Sequence, residues 1–382
     1  MTPGARAAAA IAVLEQITTG RPAEQALTNW GRANRYAGSG DRAAVRDIVF
    51  DVLRCRRSSA ALGGGASARG LVLGWARARG QEALFDGQGH APAPPLPEEA
   101  GRVPEGAEAL DCPDWLEPVL RKSLDARFEA VMAAMQRRAP VFLRVNLARA
   151  TREAAMAALA EEGIGAVPHA LAASALEVVE GARKVQSSRA YAEGLVELQD
   201  AASQAVVEML PLVDGMAVLD LCAGGGGKTL AMAARARLRL FAHDAEARRM
   251  ADLPARAARA GQRVTLTENP ERSGPYDLIL TDVPCSGSGS WRRDPEGKWA
   301  LTQERLAALL ALQAGIMDRA AGMVRPGGVL GYATCSMIAA ENEAQVAAFL
   351  TRHDGWRLEA ERHFTPLEGG DGFYAAVLRR RG

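Results

Sequence analysis

The chain has 382 residues, 48% of them apolar and 24% charged, with a net charge of +1. That length accommodates two or three domains with a real core, and the charge balance is that of an ordinary globular protein, so any nucleic-acid site must be local. Five cysteines, Cys55, Cys112, Cys222, Cys285 and Cys335, are odd in number and widely spaced. With no Cys-x-x-Cys pair they point away from a zinc site or disulfide framework and toward a reducing cytoplasm. No run approaches the roughly 18 apolar residues of a membrane span, and the N-terminus lacks the charged cap and apolar stretch of a secretion signal.

The first elements in chain order are helical. Residues 5–20 stop at Thr19-Gly20, a second helix fits 23–30, and a third runs from 41 to 57. In the third, Val45, Ile48, Val49, Val52 and Leu53 form one apolar stripe against a charged back. A further helix fits 69–79, and 87–106, rich in Pro and Gly, reads as a linker. A helical domain over 1–85 and a linker over 86–110 are therefore expected. From Pro113 the pattern becomes helix 115–135, strand 141–145, helix 151–162 with Thr151 as its cap, and strand 176–179, a small α+β module over 111–193. From 194 to 382, short apolar runs alternate with helices as in a parallel sheet covered on both faces, with strands expected at 217–221, 238–243, 264–267, 278–281 and 329–333. The chemistry-bearing segments lie in this last region.

After the strand Val218-Leu-Asp-Leu-Cys222 come Ala223, four glycines (Gly224, Gly225, Gly226, Gly227) and Lys228, which opens a helix. Glycine there frees the backbone for positive φ and lets a ligand approach the helix N-terminus. Asp244 follows Gly224 by 20 residues, about where Rossmann-like folds place an acid for ribose hydroxyls, so an adenosine-containing cofactor is expected. A phosphate-binding loop of a nucleotide triphosphatase is the rival reading, with 278–282 as the Mg²⁺-holding strand and acid. Its first glycine would fall at position 222, which is Cys.

Two thiols accompany this turn: Cys285 in Asp282-Val-Pro-Cys-Ser286, and Cys335 in Ala333-Thr-Cys-Ser336. Carbon 5 of cytosine is a poor nucleophile until a thiolate adds to carbon 6 and makes an enamine able to attack a methyl sulfonium. Hydrogen bonding or protonation at the ring nitrogen favours that addition, and Asp282 stands where such an acid is needed. After transfer the carbon 5 proton must leave and the thiol be eliminated, a step for which a second thiol is useful. No histidine or carboxylate stands out as the base; His243 reads as a strand-end residue, and Cys55 and Cys112 as incidental.

Asp282–Pro295, Tyr332–Ser336, Glu341-Asn-Glu343 and Leu198–Gln204 together resemble the RsmB/Sun group of RNA cytosine-5 methyltransferases. The resemblance is close from about Pro113 onward. The first eighty residues resemble, more weakly, the all-helical NusB-like domain of bacterial ribosomal members. It implies a Rossmann-like class I methyltransferase domain (α/β), a small α+β RNA-binding module and S-adenosylmethionine as cofactor. It further implies Cys335 as nucleophile, Cys285 as the thiol assisting release, and Asp282 facing both cofactor and base. Cys222, Ala223, Gly224, Gly225, Gly226, Gly227 and Lys228 would line the cofactor site and Asp244 would hold its ribose. Arg144, Asn146, Arg292, Arg293 and Lys298 are candidate RNA contacts.

Two departures stand out. Gly225 replaces the family's proline, which should loosen the turn, and the acid on the adenine side is missing, leaving Glu268 or Asn269. The expected activity is methylation of a cytosine in RNA, 16S ribosomal RNA first and transfer RNA second, by a cytoplasmic monomer with no metal and no membrane. A non-catalytic RNA-binding ribosome assembly factor is the alternative outside enzymes.

Overall fold

The computed structural model describes residues 1–382, and the chain divides into two compact units. Met1–Arg138 and Trp291–Ala300 make one; Ala139–Ser290 and Leu301–Gly382 make the other. The break thus falls after Arg138, and the chain leaves the second unit once, after Ser290, to contribute a short segment to the first.

Five helices open the first unit: Pro3–Thr18, Ala23–Ala33, Ser39–Arg54, Arg56–Leu62 and Ala68–Arg77. Thr2 and Ser67 cap two of them, their hydroxyls accepting from the N–H groups of Ala5 and Gly70. The expected stripe is the core, with Val45, Val49 and Val52 fully buried beside Ala7, Val13, Leu71 and Val72. The helix expected to reach Arg57 instead ends at Arg54. A new one starts because the Asp111 carboxylate accepts the N–H groups of Arg57 and Ser58 at 2.8 and 3.0 Å. Helices Arg56–Leu62 and Ala68–Arg77 meet backbone to backbone: a Cβ on Gly63 would lie 1.8 Å from the Gly70 oxygen, and one on Gly74 1.8 Å from that of Ser59.

Residues 86–110 do not behave as a linker. Arg69 pairs with Glu99 at 2.7 Å and the Arg102 N–H reaches the Ala61 oxygen at 2.8 Å, so the segment packs on the helices. Pro and Gly keep regular structure there to single turns, Pro97–Glu99 and Gly106–Ala109, without preventing these anchoring contacts. The helix expected over 115–135 breaks into Glu117–Leu124 and Phe128–Met135, because Asp125 takes a φ of +48°.

The second unit holds two sheets. The smaller is antiparallel, from β1 (Val141–Val145), β2 (Ala166–Pro168), β3 (Ala175–Val178) and β4 (Val196–Leu198) in the order β2-β3-β1-β4. Helix Arg152–Glu161 follows β1, capped by Thr151 as expected. The larger sheet comprises β5 (Ala217–Asp220), β6 (Arg239–Ala242), β7 (Thr265–Leu266), β8 (Tyr276–Asp282), β9 (Val324–Thr334), β10 (Trp356–Phe364) and β11 (Phe373–Arg380). Its order is β10-β11-β9-β8-β5-β6-β7, with β5 to β9 parallel and the last two strands antiparallel.

Alternation along β8 explains the layers. Leu278 and Leu280 point into a core with Val206 and Met232, from helices Ala201–Glu208 and Gly227–Ala233, while Ile279 points oppositely, toward Met317 and Phe349 of helices Gln303–Met323 and Glu343–Arg352. This is the expected Rossmann-like α/β domain. Strands β10 and β11 lay beyond the expected set: β10 is an edge strand whose Arg357, Glu359, Glu361 and Arg362 break any apolar run. One further expectation meets an exception. Gln303–Met323 is long and apolar enough by composition to cross a membrane, although it packs on β8 and β9 through Met317 and Ala320.

Candidate active site at the carboxyl ends of the parallel strands

Parallel pairing of β8 with β9 sets Asp282 opposite Ala333, so the turns leaving the two strands run side by side. The Val283 N–H reaches the Ala333 oxygen at 3.0 Å and the Gly289 N–H reaches the Cys335 oxygen at 2.9 Å. Two thiols 50 residues apart are thereby brought together: Cys285 Sγ lies 3.3 Å from Cys335 Sγ, and both are free.

The two sulfurs are not equivalent. A hydrogen bond from Cys285 holds the Cys335 pKa below the ordinary thiol value against burial and the Asp282 charge, with the Lys228 cation adding to the lowering. Cys285 goes the other way: its bond to Cys335, its burial and the nearby negative charges of Cys335 and Glu341 push it well up. The two directions favour the thiolate at Cys335 and the thiol at Cys285, the arrangement that a nucleophile and a proton-carrying neighbour require.

Lys228 lies beside the pair. Its Nζ donates to Asp282 Oδ2 at 2.7 Å and sits 4.9 Å from the centre of the Phe373 ring. Burial opposes its charge, but the Asp282 carboxylate holds its pKa above the ordinary value. The glycine turn runs from the end of β5, with Gly224 and Gly226 at φ +50° and +80°, angles that favour glycine. At Gly225, where looseness was expected, Arg256 donates to the carbonyl oxygen and fills the space a side chain would enter.

These residues fit an adenosine-bearing sulfonium cofactor on three counts. The turn exposes backbone at Gly224, where a Cβ would meet nothing closer than an arginine tip at 3.6 Å. Asp220 Oδ1 is buried without a partner, and burial raises that carboxyl to about 7. Asp244 receives the N–H groups of Gly224 and Glu246, both at 2.9 Å, leaving acceptor capacity for a hydroxyl. Asp220 also answers the phosphate-loop rival: Thr229, the would-be Mg²⁺ ligand, donates to Asp220 Oδ2 at 2.6 Å, and Lys228 is committed to Asp282. Cys222 is pushed up by burial, an inert thiol inside the turn. His243 Nδ1 contacts the Thr267 oxygen at 2.9 Å, consistent with a strand-end role.

Two models of one protein family match the chain: "16S rRNA methyltransferase RsmB/F" over residues 207–379, and the ferredoxin-like domain of the RsmF/B-like methyltransferases over 112–186. Ribosomal RNA small subunit methyltransferase B of Serratia proteamaculans is 34% identical over 282 residues, covering 70% of this chain and 66% of that one. The protein of the same name from Vibrio cholerae is 36% identical over 288 residues, covering 70% and 65%. The chain belongs to the RsmB/F methyltransferase family. The matched stretch spans a little under two thirds of these relatives' length. At the level of fold, the crystal structure of PH0851 superposes with a TM-score of 0.78 at 22% identity, covering 100% of this chain and 99% of that one.

In this RsmB/F family member several residues named from sequence lie elsewhere than expected. Arg144 and Asn146 are buried, not offered to RNA. The Arg144 guanidinium serves Gln199 and the Gly227 oxygen, and burial lowers its pKa to about 10. The Asn146 side-chain amide donates to the oxygens of Gly194 and Ala260 at 3.1 and 2.9 Å. Lys298 is 2% exposed; its Nζ donates to the Arg54 oxygen at 3.0 Å, while Trp299 Nε1 donates to that of Leu53 at 2.7 Å. Both close open carbonyls at the end of helix Ser39–Arg54, so this lysine is a helix cap. Arg292 is buried and its oxygen accepts from Arg54 at 2.7 Å; Arg293 alone of the three remains exposed. Glu268 and Asn269 are exposed just after β7, an edge strand paired with β6, whose end carries Asp244.

Sequence reasoning missed the partner of Lys228 and four further participants. Lys228 was expected in the cofactor turn, not as the partner of Asp282. Ser286, Ser336 and Glu341 carried no role, although each thiol being followed by a serine was a signal in plain view. Asn342 grips the Cys335 turn from the other side: its Oδ1 accepts from the Thr334 hydroxyl at 2.6 Å and its amide donates to the Ser336 oxygen at 3.0 Å.

Proposed function

We propose that the chain is an S-adenosylmethionine-dependent RNA cytosine-5 methyltransferase acting in the cytoplasm on 16S ribosomal RNA. The observation that carries this reading is the pair of free thiols 3.3 Å apart, one biased to thiolate and one to thiol, beside a glycine-rich turn. The family models and the names of the curated relatives support the substrate class. The N-terminal helices support a NusB-like RNA-binding role, with Arg293 as the remaining exposed candidate contact in its segment.

S-adenosylmethionine supplies a methyl group on a positively charged sulfur. The chain's residues do the rest. Gly224 to Lys228, Asp220 and Asp244 hold the cofactor, with Glu268 or Asn269 toward its adenine. Cys335 adds to carbon 6 of the cytosine through its thiolate, and the ring electrons that this displaces make carbon 5 nucleophilic. The Lys228–Asp282 pair holds a proton at the ring nitrogen during that addition, favouring it as a fixed hydrogen bond in a dry site does. After methylation, carbon 5 gives its proton to water, and the electron pair of that bond expels Cys335 from carbon 6 as a thiolate. Cys285, adjacent and protonated, assists that release. A ring carbon inside a helix cannot reach Cys335, so the target base must be unstacked from a loop or bulge.

The test is transfer of labelled methyl from S-adenosylmethionine to total RNA lacking its native modifications, mapped by bisulfite sequencing. One protected cytosine in small-subunit RNA is expected. Label on transfer RNA alone would overturn the substrate, and RNA binding without any label would overturn the enzyme in favour of an assembly factor.

A further inference from the structure

One carboxylate in the second unit contacts both thiol-bearing turns. Glu341 is fully buried, and its two oxygens collect four donors. Oε1 accepts from the Ser286 N–H at 2.8 Å and from the Gln313 side chain at 3.0 Å. Oε2 accepts from the hydroxyls of Ser286 and Ser336. Ser286 directly follows Cys285, and Ser336 directly follows Cys335.

The remaining contacts tighten the same knot. The Ser286 and Ser336 hydroxyls lie 3.2 Å apart, and the Ser288 hydroxyl lies 3.0 Å from that of Ser336. The Ile338 N–H donates to Ser336 Oγ at 3.0 Å, and the Met337 N–H to Ser288 Oγ at 2.8 Å. The Tyr332 hydroxyl donates to the Glu341 backbone oxygen at 2.6 Å, fixing the residue itself to β9. A buried carboxylate is costly unless satisfied, and this one is satisfied almost wholly by groups whose positions fix the two sulfurs.

We propose that Glu341 is a positioning residue that sets the separation of the Cys285 and Cys335 sulfurs by tethering the serine that follows each of them. The two turns also bond directly, the Gly289 N–H to the Cys335 oxygen at 2.9 Å and the Ser336 hydroxyl to those of Ser286 and Ser288, and to these contacts the carboxylate adds the one group that holds both serines at once. Its charge also faces Cys285 and helps keep that thiol protonated. The inference rests on the reading that these thiols carry methyl transfer, but its test does not.

The ruler is the rate at which diamide joins Cys285 to Cys335 in the full chain, without RNA or cofactor. Diamide takes two electrons and two protons from the thiols, becoming a hydrazine as the sulfur–sulfur bond forms, and the loss of two thiols is read by mass. Glu341→Ala should slow this step at least ~10-fold and lower kcat about 100-fold, the scale of an ångström-sized misplacement, with KM for S-adenosylmethionine changed less than about twofold. Glu341→Gln, which keeps the span, should stay within about threefold of wild type in cross-linking.

Alanine at 341 that lowers the melting temperature but leaves cross-linking fast would overturn the proposal, since a merely stabilising residue does that. A glutamine variant as slow as alanine would overturn it too, because charge and not span would then govern. Should the alanine variant fail to fold, the Ser286→Ala, Ser336→Ala double variant takes its place: slowed cross-linking supports the tether, and wild-type speed overturns it. Wild-type protein that cross-links rapidly but never methylates RNA would refute the functional reading alone.

Discussion

The first unit holds two cysteines and the second three, and one of those three, Cys335, behaves unlike the other four. In the first unit, burial pushes Cys55 and Cys112 up to about 12. In the second, Cys335 also lies against burial that opposes its charge, yet its pKa lies below the ordinary thiol value because of its hydrogen bond with Cys285 and the nearby Lys228 cation. Desolvation by itself makes a thiol inert; a thiol becomes a nucleophile only where a donor and a cation replace the lost water. A neighbouring donor and cation, not cysteine identity or place in a strand-end turn, separate Cys335 from Cys222 and from the first unit's pair.

The sharpest way to break that comparison is to remove one thiol from each unit. Cys335→Ala should lower methyl transfer by roughly 10⁴-fold or more, the scale of losing a nucleophile from a working constellation, whereas Cys112→Ala should leave transfer within about twofold. Equal losses from both, measured as label incorporated into RNA, would erase the distinction. Next in size, Cys285→Ser should cut turnover by about 100-fold and leave a covalent protein–RNA adduct that survives denaturing gels. An adduct that needs Cys285 and persists without Cys335 would reverse the two roles.

A smaller effect tests the cation. Lys228→Met removes the positive charge that lowers Cys335, so the midpoint of Cys335 alkylation against pH should move upward. At neutral pH the thiolate fraction then falls, and iodoacetamide labelling of Cys335 should be measurably slower than in the wild type. Labelling of Cys55 and Cys112 should stay slow in both proteins, because burial is the largest influence on each. The mildest prediction concerns Lys298. Its burial lowers its pKa to about 8 and its role is to cap a helix, so Lys298→Ala should cost about 1–2 kcal/mol of stability and leave the salt dependence of RNA binding unchanged. A shallower salt slope, with unchanged melting, would return Lys298 to the RNA contacts.

Much of this molecule is written in its local patterns. The stripe Val45, Ile48, Val49, Val52, Leu53, the cap at Thr151, the apolar runs of β5, β6 and β8, and the glycine turn before Lys228 each declare themselves within a few residues, because helix and strand periods and positive-φ turns are short-range properties. The candidate chemistry of Cys285, Cys335 and Asp282 is equally legible, since few reactions call for two thiols and an acid beside a cofactor turn.

What lay beyond the sequence depended on partners far along the chain. The basic run ending in Lys298 looks the same whether it faces RNA or the open carbonyls of Leu53 and Arg54, 246 and 244 residues away from the groups that meet them. Residues 86–110 have the composition of a linker and the contacts of a packed segment. Arg144 reads as a free cation until Gly227 is placed against it. The sequence by itself determined which residues could do the chemistry, because that follows from side-chain type and short-range geometry. Only the tertiary structure decided which thiol is favoured as thiolate, which carboxylate gathers the serines and which arginines are buried, because hydrogen-bond partners and loss of water are set by groups brought together across the fold.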